Sequence, residues 1–210
     1  MAKPPKSVRD RVIDAALKLA AEEAWSRITL GDIAMDARIS LEALCGEFDS
    51  KTSIVVAIME RTNATMLGGI DASTESEPVH DRLLDSILQR LDSLQPHKSA
   101  ICSILRDLPS DPASLVCLAP GFFRAMAWTL EAAGIGSAGL GGRLRVKGLG
   151  AIYLGALRVW SMDDSEDQGK TLAYLDRRLK QAEKLVRFLP DDILLSQRRS
   201  SPEESDKDKK

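Results

Sequence analysis

The sequence predicts an all-α protein. Apolar residues recur at helical spacing over most of the chain, and no segment alternates apolar and polar residues as a half-buried strand would. Capping hydroxyls, prolines and glycines separate the periodic stretches. Aromatic residues make up only 4% of the chain while alanine and leucine abound, which also favours helix.

The composition bounds the function. A chain of 210 residues can bury a sizeable core in one or two domains. Its 44% apolar and 29% charged content is that of a globular protein. The net charge of −2 exerts no global pull on nucleic acid, so DNA binding would need a local basic patch. Three cysteines (Cys45, Cys102, Cys117) form no disulfide framework and suit a reducing, cytoplasmic setting. The start, MAKPPKSVRDR, has no apolar signal core. No run of 18 apolar residues occurs, so no transmembrane segment is expected.

The elements follow in order. Ser7 caps a first helix with Val8, Val12, Ile13, Ala16, Leu17 and Ala20 on one face. Trp25 and Ile28 pack where the chain turns. Thr29 caps a second helix, LGDIAMDA, whose Asp32 complements the helix dipole; it ends near Ala37 to Ile39. Ser40 caps a third, LEALCGEF, and Ser50 a fourth from Lys51 to Leu67. Gly68 and Gly69 stop the fourth, and DASTESEP is a polar linker. Further helices are expected over 79–95, 98–108, 112–133, 142–162 and 166–189, with a kink or an opened turn at Pro120 and Gly121. The domains expected are a head over 1–50, a helical body over 51–189 and a disordered charged tail over 190–210.

Residues 12–59 carry a resemblance. They contain DAA…L, then T-L-G-D-I-A, then an I-S…L…F-x-S-K run, without gaps. In these features the chain resembles the TetR family of transcriptional regulators. The resemblance implies homodimers whose N-terminal helix-turn-helix heads bind operator DNA. It also implies C-terminal helices that form the dimer interface and enclose a pocket for a hydrophobic small molecule or lipid. Ligand binding would move the heads apart.

The chain departs from the family pattern where DNA is touched. Arg38 stands at the turn glycine, Leu41 at a common lysine, and Glu42 and Ala43 at small positions. Cys45 replaces a phosphate-contacting tyrosine, and Glu47 a histidine or tyrosine. Residues 36–51 hold four carboxylates (Asp36, Glu42, Glu47, Asp49) against two cations, Arg38 and Lys51. Phosphate contacts supply most of the affinity of DNA binders, so such a helix repels the backbone it should approach. One glutamate can accept from cytosine N4. The candidate DNA-contacting set is therefore Lys3, Lys6, Thr29, Arg38, Ser40, Leu41, Glu42, Ala43, Cys45, Gly46 and Lys51. Lys51, at a helix start, is the residue left to reach a phosphate, with help from the basic arm of Lys3, Lys6, Arg9 and Arg11.

The segment 159–185, VWSMDDSEDQGKTLAYLDRRLKQAEKL, is similar to the C-terminal region of the TetR-like accessory proteins of ubiquinone biosynthesis, which bind lipid. That resemblance implies an alternative: a lipid-binding accessory protein whose head serves packing only. For either function, the candidate pocket residues are Leu105, Phe122, Phe123, Met126, Trp128, Tyr153 and Trp160. They gather around PGFFRAMAW and the 142–162 helix. Gly148, Ala151 and Gly155 share a small-residue face, and with Leu172, Leu175 and Leu179 they are candidates for a dimer interface. His80 and His97 lack metal-ligand spacing, so no metal is expected and they read as solvated or capping. No nucleophile elbow, P-loop or dinucleotide fingerprint occurs, so neither an enzyme nor a cofactor is expected.

Overall fold

The computed structural model describes residues 6–69, 77–165 and 167–187, and every regular element in them is helical. The helices are α1 (Val8–Glu22), α2 (Leu30–Asp36), α3 (Leu41–Glu47), α4 (Lys51–Gly68), α5 (Val79–Leu94), α6 (Lys98–Asp107), α7 (Pro112–Ala132), α8 (Gly139–Ser161) and α9 (Gly169–Arg187). Short 3-10 turns lie at Trp25–Arg27, Gln95–His97 and Leu108–Ser110. Lys3 and the tail from Pro190 lie outside the described residues.

The expected caps start the head's helices. The Ser7 hydroxyl accepts from the Asp10 amide at 3.0 Å. Thr29 and Asp32 cap reciprocally: the Thr29 hydroxyl accepts from the Asp32 amide and the Asp32 carboxylate from the Thr29 amide. Ser40 accepts from the Ala43 amide, and Ser50 and Ser53 repeat the reciprocal box at α4. Each satisfies a donor that a helix start leaves orphaned.

Arg38 closes α2 with φ at 54°. The Ile39 amide donates to the Ala34 carbonyl and the Arg38 amide to the Met35 carbonyl, a Schellman closure that favours glycine. Gly134 makes the same closure after α7 with φ at 75°. At Arg38 the strain is offset by Arg11, whose guanidinium donates to the Ala37 and Arg38 carbonyls at 2.6 Å each. Arg38→Gly should therefore raise stability by about 0.5–1 kcal/mol, the relief of the left-handed backbone less the added freedom of the unfolded chain. A urea midpoint that falls in this variant would contradict that account.

Val12, Ile13, Ala16 and Leu17 of α1 are buried with Ile33 of α2, Leu44 of α3, Phe48 just past the end of α3 and Ile54 of α4, which makes the head's core. That core runs unbroken into the body, where Ile87, Leu91, Met126, Leu130, Leu149, Trp160 and Leu175 are buried. The helix α7 runs continuously through Pro120, so the expected opened turn is absent. By length and composition it is long and apolar enough to cross a membrane. Its Leu118, Met126 and Leu130, however, are buried in the bundle.

The hairpin of α8 and α9 is fastened at its turn. Asp163, 2% exposed, accepts from the Thr171 amide and hydroxyl at 2.9 and 2.8 Å and from the Ser165 hydroxyl. The Ser165 hydroxyl first, and then the Thr171 donors, hold its carboxyl far below the usual carboxylate range. Farther along, Tyr174 lies against Gly155 so closely that a Cβ there would collide with its phenol.

Candidate functional site: the reading head and the helical body

The outer face of α3 is open to solvent along its length. Leu41, Glu42, Ala43, Cys45, Gly46 and Glu47 are exposed, while Leu44 points into the core. Space beyond Gly46 is empty. Met35 on α2, 75% exposed, and Leu41, 57% exposed, put two apolar side chains beside the carboxylates. Thr29 and Ser40 are both engaged as caps.

Of the cations expected to grip DNA, Arg38 is exposed, while Lys51 and Lys6 are engaged within the chain. Lys51 turns inward: its ammonium donates to the Trp25 and Ile28 carbonyls at 2.5 and 2.6 Å and lies 4.5 Å from the Trp25 ring centre. Burial pushes its pKa down, against the pull of Asp107, Asp111 and Asp32. It closes the turn before α2, and the phosphate contact expected of it is not what this geometry prepares. Those carbonyls could not be read in advance, because only the fold brings them to Lys51. Lys6 pairs with Asp14, Arg9 with Glu60 and Lys18 with Asp36. The Arg9 guanidinium also sits 5.0 Å over the Phe48 ring. These are exposed pairs, weak enough for a phosphate to compete with.

In the body, the seven pocket candidates do not converge. Met126, Tyr153 and Trp160 are core residues, and the Trp160 indole donates to Gln95 Oε1 at 2.9 Å. Phe122 is half-buried, edge-on to Phe123 and 6.2 Å from the Tyr153 ring. Phe123 and Trp128 face outward. Leu105 lines a different place, a cleft of about 460 Å³ between α6 and α8, with Cys102, Leu154, Leu157 and Met162 beneath Arg106 and Arg158. Other surface clefts of about 240–310 Å³ lie at the head–body junction and between α4 and α7.

The interface candidates divide as well. Leu175 and Leu179 fill the subunit's own core. Gly155 is taken up by Tyr174. Gly148, Ala151 and Leu172 remain at the surface. With them on α8 stand the exposed Leu140, Leu144 and Leu154, which the sequence reading missed. Positions 140, 144, 148 and 151 follow helical spacing, so the stripe was there to be found. His80, read as solvated or capping, bridges Asp176 and Glu183 of α9 at 3.2 and 3.0 Å.

Comparison with solved structures gives this architecture a precedent. A TetR transcriptional regulator from Nitrosomonas europaea is 26% identical over 85% of this chain and 99% of its own, with a TM-score of 0.71. The chain has the TetR-family fold. A TetR regulator from Rhodococcus sp. RHA1 superimposes with a TM-score of 0.62 at 19% identity, covering 83% of this chain and 94% of that one. One from Streptomyces coelicolor reaches 0.57 at 14%, over 88% and 86%. The COQ9 family model matches residues 145–186, which take in most of α8, the acidic turn and α9 of the TetR-like body. Among curated proteins, none matches the chain significantly.

Proposed function

We propose that the protein is a dimeric, ligand-responsive DNA-binding regulator of the TetR type. The observation that carries this reading is the uncovered outer face of α3, held rigid by capped helices and a buried core. With Glu42 and Glu47 on that face, reading falls to base edges. A glutamate accepts from cytosine N4, and Leu41 and Ala43 suit thymine methyl groups. The exposed stripe of Leu140, Leu144, Gly148, Ala151 and Leu154 on α8, with Leu172 on α9, suits a second copy of the chain. Two such heads would occupy successive major grooves about 34 Å apart. An apolar ligand held in the body shifts head spacing only if it binds one spacing better than another.

Titration against the DNA upstream of the protein's own gene tests this. The expected result is preference for that DNA over scrambled sequence. The expected dependence on salt is shallow, a log–log slope of about −3 or less steep, because few phosphates are gripped. Equal binding to both DNAs, or none at low salt, overturns the reading.

The COQ9 match supports a second reading, a lipid-binding accessory protein with a head that only packs. A long-chain lipid found by mass spectrometry in the gently purified protein, with no DNA preference, would favour it.

A further inference from the structure

Arg90 sits on α5 with 2% of its surface exposed. Three other helices close around it. Its Nη2 donates to Asn63 Oδ1 of α4 at 2.5 Å and, at the 3.5 Å limit, to the Ala125 carbonyl of α7. Its guanidinium carbon lies 5.9 Å from the Tyr153 ring centre on α8. Its Nε is buried without a hydrogen-bond partner. No carboxylate among the described residues forms an ion pair with it. A guanidinium stays charged in proteins, and a buried charge without a counter-ion is costly. Tyr153 does not supply the missing charge, since burial pushes its phenol up to about 12 and it is neutral at pH 7.

Two of the groups that Arg90 meets also face a cleft, whereas the neutral Tyr153 phenol, which interacts with it from the other side, does not. Asn63 and Ala125 line the space of about 240 Å³ between α4 and α7, together with Val56, Met59 and Leu67. Gly121 also lines it, where a Cβ would come into ordinary contact with Met59 at 3.4 Å. At the rim Glu60 pairs with both Arg124 and Arg9, which leaves one exposed, solvated positive charge there. The cation behind Asn63 is the buried charge left unanswered. Asn63 alone links cleft and cation by a side chain: it lines the cleft and accepts from the guanidinium.

We infer that the α4–α7 cleft binds an amphipathic carboxylate, its apolar chain against Val56, Met59 and Leu67 and its anionic head paired with Arg90. One buried cation matches one negative charge. The planar fork of a guanidinium fits a carboxylate through two parallel hydrogen bonds. This names the ligand class for the ligand-responsive half of the function proposed above. Its test contains no DNA, so its failure leaves the DNA result standing, and the converse holds.

The test is calorimetric titration of the full chain at neutral pH with sodium octanoate and, separately, with 1-octanol. Octanoate should bind at least tenfold more tightly than octanol. Asn63→Asp places a carboxylate beside Arg90 with almost no change of shape. It should weaken octanoate binding tenfold or more, leave octanol unaffected and raise the melting temperature. Arg90→Met should abolish the preference for octanoate; if that variant does not fold, Asn63→Asp decides alone. Equal affinity for octanoate and octanol, no binding of octanoate, or undiminished binding in Asn63→Asp would each overturn the inference.

Discussion

Trp160→Ala should lower folding stability by about 4 kcal/mol, while Trp128→Ala should change it by less than about 0.5 kcal/mol. The two residues look alike in sequence, each on a long apolar helix. They differ in where the fold places them. Trp160 is wholly buried near the end of α8, its indole N–H satisfied by Gln95 and its ring 5.7 Å from the Lys98 ammonium. Truncation removes a large buried ring and leaves a cavity that rigid helices cannot collapse to fill. Trp128 is 47% exposed on α7, so its removal uncovers little. Equilibrium denaturation in guanidinium separates the two outcomes. Similar losses in both variants would mean that Trp128 is packed against something in solution, a second subunit being the first to look for.

The second large effect concerns charge on the head. Glu42→Lys combined with Glu47→Lys should tighten nonspecific DNA binding by roughly 60-fold at 0.1 M salt, and steepen the log–log salt slope by about 1.8. These values follow from two new phosphate contacts at about −0.9 each, taking 1 M salt as the point where the gain vanishes. Both residues are exposed on a face that no other element among the described residues covers, so the substitutions leave the head's core intact. Fluorescence anisotropy with a random-sequence duplex measures both quantities. An unchanged slope would place this face away from the duplex and leave the lipid-binding reading as the stronger one.

The element order and most helix ends were legible because they depend on local chemistry. Ser7, Thr29, Ser40 and Ser50 each announce a helix start, and each caps one. The body's helix ends at 79, 98 and 112 follow the same logic of proline and periodicity. Less was legible where distant segments meet. Arg11 looked like part of a basic arm, yet it closes the end of α2. Lys51 looked like a phosphate ligand, yet carbonyls 23 and 26 residues away hold it. Arg90 carries no local sign of a function. Its spacing was informative nevertheless: Ile87, Arg90, Leu91 and Leu94 share one face of α5, and all are buried. A charged residue in phase with an apolar stripe is a reason to ask for its counter-ion.

The segment joining α1 to the first 3-10 turn has a mechanical consequence. The Ser103 hydroxyl of α6 accepts from the Trp25 amide and donates to the Glu23 carbonyl, and Asp107 accepts from the Ser26 amide. These three bonds clasp the head to the body inside one subunit. The clasp opposes swivelling at this joint; to turn there, the head must break these bonds or drag α6 with it. Each subunit acts as a single lever with fixed reach. In the dimer proposed above, any mismatch between a pair of such levers and a DNA site would be taken up by bending of the duplex or by slippage between subunits.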